Sequence, residues 1–132
     1  MIEAYFEEVE GVLQDFSNIR SYTLTKRIYN LQQGYIGGTI TFDAGWRLEF
    51  VEVKDAEVAE KLKYRYQFMD EAHEPVFRYD NAPHHPEIQT FPHHKHTINS
   101  IMGSREPTLR DVLLEIAQLA RRSVAQNRKL PE

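Results

Sequence analysis

The sequence predicts an α+β fold, an antiparallel sheet of about five strands packed by an N-terminal and a long C-terminal helix. Three observations predict it. Apolar residues recur at helical spacing only near the two ends, from Ile2 to Phe16 and from Leu109 to Val124. Between them the pattern changes to period two, the spacing of half-buried strands. Polar turn clusters, three of them containing Gly or Pro, separate the alternating runs. At 132 residues the chain reads as a single domain, 1–132, with enough length to bury a core.

In the first helix Ile2, Tyr5, Phe6, Val9, Val12, Leu13 and Phe16 make the apolar stripe, with Glu3, Glu7, Glu8 and Glu10 between them. Carboxylates near its start complement the helix dipole. Ser21 to Tyr29 alternates as a first strand, and Gln32-Gln33-Gly34 turns the chain into a second carrying Ile36, Ile40 and Phe42. Gly37 and Gly38 within it signal a bulge or a close backbone approach. Asp43-Ala44-Gly45 makes a hairpin loop before a third strand with Trp46, Leu48 and Phe50. Asp55 to Leu62 is expected to form one or two helical turns. Tyr64, Tyr66 and Phe68 alternate in a fourth strand, Asp70 to Pro75 turns, and Val76 to Asp80 is a fifth. A register with Phe68 opposite Phe77 also sets Tyr66 opposite Tyr79, Arg65 opposite Asp80 and Gln67 opposite Arg78. Pro107-Thr108-Leu109-Arg110-Asp111 is a capping-box start for the final helix. Leu109, Val112, Leu113, Ile116, Leu119, Ala120 and Val124 form its buried stripe, and Arg121, Arg122, Arg128 and Lys129 suit its negative end.

Apolar content of 41% and charged content of 27% are ordinary for a globular chain. The absence of cysteine excludes disulfides and thiolate chemistry. No long apolar run and no basic-plus-apolar leader is present, so no membrane partner is expected and the cytoplasm is the expected compartment. A net charge of −4 argues against a DNA-coating protein, but leaves room for RNA at a local basic patch.

Chemistry concentrates between Tyr79 and His96. Five of the six histidines fall there (His84, His85, His93, His94, His96), and Pro83, Pro86 and Pro92 exclude a continuous helix. The stretch reads as a stiff loop presenting imidazoles. Three uses compete. His94 and His96 can share a metal with His84 or His85, with oxygen from Asp80 or Glu87. Alternatively, two imidazoles can carry both proton transfers of RNA cleavage at neutral pH without a cofactor. In that use Arg65, Arg78 and Lys95 meet the phosphate, and Tyr79 and Phe91 stack bases. The third use is structural, or a surface for a protein partner. His73, in a polar turn, is expected to be merely exposed.

Phe77-Arg78-Tyr79-Asp80-Asn81-Ala82-Pro83-His84-His85-Pro86, followed by Phe91-Pro92-His93-His94-Lys95-His96 and by Pro107-Thr108-Leu109, resembles the TumE-like family of toxin–antitoxin proteins. The resemblance is strong from about Tyr64 to Ile116 and only topological before that. It implies the toxin of a type II prokaryotic pair and a cognate antitoxin as partner, often one with a helix-turn-helix DNA-binding domain. Endoribonuclease action follows by analogy with small toxins as a class. The combined expectation is a metal-independent endoribonuclease acting on RNA. His84 with His94 or His96 is the acid/base pair, His85 is a further candidate, and Asp80 orients a histidine. Arg65, Arg78, Lys95, Tyr79 and Phe91 bind substrate. A non-catalytic partner-binding module and a metal-dependent hydrolase using the same loop are the alternatives, and homo-oligomerisation is open.

Overall fold

The structure, a computed structural model, describes residues 1–129, with side chains through Val124. It comprises α1 (Ile2–Leu13), β1 (Ile19–Ile28), β2 (Gln33–Phe42), β3 (Arg47–Asp55), β4 (Lys63–Met69), β5 (Pro75–Asp80), β6 (His94–Thr97), β7 (Ile101–Gly103) and α2 (Leu109–Lys129). The strands form one antiparallel meander in the order β1-β2-β3-β4-β5-β6-β7. Two more strands are present than the sequence pattern indicates. Both are short and follow a proline-punctuated loop, and β6 carries His-Lys-His in place of β-branched residues. Pairing of β6 with β5, and of β7 with β6, is what extends them, so the last residues of the expected histidine loop belong to the sheet.

Both helices cover one face of the sheet. Ile2, Phe6, Val9 and Leu13 of α1 and Leu109, Val112, Leu113 and Ile116 of α2 pack onto Ile36, Ile40, Leu48, Phe50, Tyr66, Phe68 and Phe77. Strand alternation turns every second residue away from this core. The predicted register of β4 on β5 is present, with Phe68 opposite Phe77, Tyr66 opposite Tyr79, Gln67 opposite Arg78 and Arg65 opposite Asp80. Thr108 and Asp111 form the capping box, the Thr108 N–H donating to Asp111 Oδ2 at 2.9 Å and the Asp111 N–H to Thr108 Oγ1 at 3.1 Å.

Polar groups buried on the helix face are paired. Glu52, 1% exposed, accepts hydrogen bonds from the Tyr66 hydroxyl at 2.5 Å and from the Tyr5 hydroxyl. Burial foremost, and then the Glu52 charge, push both phenols well above their ordinary pKa. Lys61 donates to the Pro107 carbonyl at 2.8 Å, tying the β3–β4 connection to the start of α2.

Several local expectations are corrected. Asp55 to Leu62 forms turns and bends with no helix, because Asp55 Oδ1 accepts the Glu57 N–H at 2.9 Å and its carbonyl accepts the Val58 N–H at 3.0 Å. Phe16 lies beyond α1, although its ring still packs on the core. Gly37 and Gly38 sit in unbroken register, so of the two glycine readings the close approach holds. A Cβ on Gly38 would lie 2.0 Å from the Thr23 carbonyl oxygen. Val124 is exposed, while Leu119 and Ala120 are half-buried, so the buried stripe of α2 ends earlier than its sequence pattern. The side chains of Arg128 and Lys129 lie outside the described residues.

Candidate functional site

The uncovered face of the sheet carries the imidazoles. Arg65 on β4, Arg78 and Asp80 on β5, and His94 and His96 on β6 are cross-strand neighbours, with Arg65 opposite Asp80, Asp80 opposite His94, and Arg78 opposite His96. Residues directly opposite share a face, so the register alone gathers these five side chains. The segment 81–93 then folds over the β6–β7 end of that face. Gly103 makes room for it, since a Cβ there would stand 3.0 Å from Thr90 Oγ1 and 3.5 Å from Ile88 Cγ2. Thr90 Oγ1 fastens the loop by accepting the Ser104 N–H at 2.9 Å and donating to the His93 carbonyl at 2.6 Å.

This fold-over brings His85 onto the strand histidines. Its ring centroid lies 5.2 Å from that of His94 and 5.8 Å from that of His96, and the latter two are 4.8 Å apart. One nitrogen from each of the three lies within 4.8 Å of the others. Asp80 stands beneath them, 6% exposed. Its Oδ1 is 2.9 Å from His94 Nε2, its Oδ2 accepts from Arg78 Nε at 2.9 Å, and the Ala82 N–H donates to Oδ1 at 3.0 Å.

The hydrogen bonds assign different roles to the rings. His94, 2% exposed, has Nδ1 at 2.9 Å from the Pro92 carbonyl oxygen and Nε2 at 2.9 Å from the Asp80 carboxylate. Both nitrogens face acceptors, so the ring is held at two points. His96 differs. Arg78 Nη2 lies 2.9 Å from His96 Nε2, and a guanidinium can only donate, so that nitrogen offers a lone pair and the ring is neutral. Burial foremost, and then the Arg78 charge, hold His96 below the ordinary histidine pKa against the opposing pull of Asp80. His85 and His96 keep part of their surface in solvent, and a small depression lined by Gln67, Arg78, His96 and Thr97 opens beside His96.

Not every expected residue joins this cluster. His84 is exposed and stands outside it; the loop delivers its neighbour His85 instead. Lys95 and Tyr79 alternate onto the helix face. There Lys95 Nζ pairs with Glu115 Oε2 at 2.6 Å and sits 4.9 Å from the Tyr79 ring centroid, while the Tyr79 hydroxyl donates to Glu115 Oε1 at 2.6 Å. Phe91 is exposed on the loop. Arg65 is exposed opposite Asp80 and, among the described residues, has no carboxylate within ion-pair distance. His93, which the sequence groups with the other imidazoles, is a packing residue, stacked on Tyr64 with its Nδ1 at 2.9 Å from the tyrosine hydroxyl. The sequence set Gln67 opposite Arg78 but did not assign it to the site. It missed the Pro92 carbonyl, whose orientation had no sequence signal.

These features define a class of protein, a small α+β chain that presents an imidazole–guanidinium–carboxylate cluster on the bare face of an antiparallel meander. The family model described as "Toxin TumE" matches residues 9–121, and the chain belongs to that family. It is therefore the toxin component of a toxin–antitoxin system, with a cognate antitoxin as its partner. No curated protein and no solved structure matches it. Among the described residues, no helix is long and apolar enough to cross a membrane.

Proposed function

We propose that this toxin is a metal-independent endoribonuclease of a type II pair and that His96, His85 and Arg78 carry the reaction. The observation that supports this most is the contrast between His96, neutral with its lone pair held by Arg78, and the doubly bonded His94–Asp80 pair behind it. A phosphate arriving in the depression draws the partly exposed Arg78 guanidinium onto its oxygens. His96 Nε2 is then free to take the proton of the adjacent 2′-hydroxyl. The 2′-oxygen forms a bond to phosphorus, the bond from phosphorus to the 5′-oxygen breaks, and protonated His85 gives its proton to that leaving oxygen. Arg78 and Arg65 stabilise the charge that builds on the phosphorane. The products are a 2′,3′-cyclic phosphate and a 5′-hydroxyl, and no co-reactant is consumed. His94, buried and bonded at both nitrogens, is a positioning residue, and Asp80 holds it and Arg78 in place.

The test is growth of cells expressing the toxin without its antitoxin. His96→Ala, His85→Ala and Arg78→Ala relieve the arrest at equal protein level, whereas His84→Ala does not. Arrest that persists in the first three variants would refute the assignment.

A second reading has its own observation. The three donor nitrogens, within 4.8 Å of one another, have the ligand number of a catalytic zinc site, and the His94 Nδ1 contact with a carbonyl is the orienting bond such ligands use. The Arg78 guanidinium on His96 Nε2 weighs against it, since that nitrogen's lone pair is already engaged by a cation. Zinc at one equivalent per chain in the purified protein would overturn the metal-free mechanism in favour of this one.

A further inference from the structure

The two edges of the sheet are unlike. β1 presents Arg20, Lys26 and Arg27, charges that discourage another strand from pairing. β7 presents Ile101-Met102-Gly103, with no charge in the strand, and Ile101 (43%), Met102 (44%) and the neighbouring Ile98 (79%) all stand in solvent. Its backbone is open as well. The hairpin closes with the Thr97 N–H donating to the Ser100 carbonyl at 2.8 Å. Hydrogen-bonded pairs alternate along an antiparallel ladder, so Met102, opposite Lys95, bonds inward to β6. Ile101 and Gly103, opposite His96 and His94, direct their N–H and C=O groups outward. Two donors and two acceptors line an apolar edge.

We propose that the antitoxin adds an extended segment to β7 as an eighth strand. The inference rests on the toxin–antitoxin assignment and is independent of the chemistry proposed for the histidines. Charge and area select this occupant. Side chains of the added strand opposite Ile101 and Gly103 would fall on the imidazole face, about 10 Å or two strand spacings from the His94 and His96 positions. Among the side chains that β4 and β5 put on this face, Arg65 and Arg78 outnumber the buried Asp80 carboxylate, and the balance favours an acidic side chain there. A second copy of the toxin would instead bring the same cationic face beside itself. Three-residue edges also provide far less contact than the roughly 1,200 Å² expected of a stable interface. A flexible acidic-and-apolar segment can pair with β7 and continue over Ile98 and the histidine face, blocking the depression beside His96.

The experiment uses the full-length toxin, co-expressed with the protein encoded by the adjacent gene and then separated from it, together with that partner. Complex formation slows amide exchange at Ile101 and Gly103 by tenfold or more. Ile101→Lys weakens binding at least tenfold. Ile101→Pro does the same, because it removes an outward donor while sparing the bonds Met102 makes to β6. Thr23→Lys on the opposite edge leaves affinity unchanged. Unaltered affinity in both Ile101 variants, or protection confined to β1 or α2, would overturn the proposal while leaving the partnership intact. Absence of any complex with the parent toxin would overturn both. A concentration-dependent toxin dimer that Ile101→Lys abolishes would assign the edge to self-association and overturn it too.

Discussion

Replacing Asp80 with alanine removes the group around which the histidine face is assembled. Three interactions disappear. The bond from Ala82 N–H contributes about 1 kcal/mol as a neutral-donor contact, and the half-exposed Arg78 pair about 0–1 kcal/mol. The third dominates. The His94 side chain is 3% exposed and is left with a donor nitrogen facing no acceptor, and breaking one side of a buried pair costs roughly 3–5 kcal/mol. Because neighbouring contributions do not add, a total loss of about 4 kcal/mol is expected. With a urea dependence of about 2 kcal/mol per molar for a domain of this size, the unfolding midpoint falls by about 2 M. The double variant Asp80→Ala with His94→Phe should regain part of the loss, because it removes the stranded His94 donor together with its acceptor while the bonds from Ala82 and Arg78 stay lost. Urea titration followed by tyrosine and tryptophan fluorescence reads both values. A loss under about 1 kcal/mol in Asp80→Ala, or a double variant as unstable as the two singles added together, would refute the buried pair.

The pH profile and the far face of β6 provide two more tests. His96 accepts a proton only while neutral, and its pKa is depressed, so cleavage should fall on acidification with a midpoint below the ordinary histidine value near 6.5. Arg78→Gln removes a charge that helps depress it, so that midpoint should move upward even as the rate drops; an unchanged midpoint would contradict the contact. Lys95→Met should cost about 1–2 kcal/mol through loss of the Glu115 pair and the stacking on Tyr79, yet leave cleavage by the folded protein near the parent rate. A hundredfold loss of cleavage in that variant would return Lys95 to the catalytic face.

The sequence pattern carried most of the sheet because period-two alternation and aromatic matching constrain register together. Once Phe68 faces Phe77, Arg65 must face Asp80, and half of the site follows. The outer strands were illegible for a related reason. β6 and β7 have four and three residues and little intrinsic strand preference, so only the pairing of β6 with β5 and of β7 with β6 creates them. That omission carried into the site. Read as loop, Lys95 could stand beside His94 and His96; read as strand, alternation sends it to Glu115 on the opposite face. The choice between His84 and His85 depended on how the loop folds back over Gly103, a close approach for which a lone glycine gives only a weak signal.

The most direct test of the central claim is incubation of the purified toxin with single-stranded RNA in excess EDTA, followed by analysis of the product ends. Cleavage is expected to survive chelation, to leave 5′-hydroxyl and 2′,3′-cyclic phosphate termini, and to vanish in His96→Ala. Cleavage that stops in EDTA and returns with zinc, or that proceeds undiminished in His96→Ala, would contradict the claim.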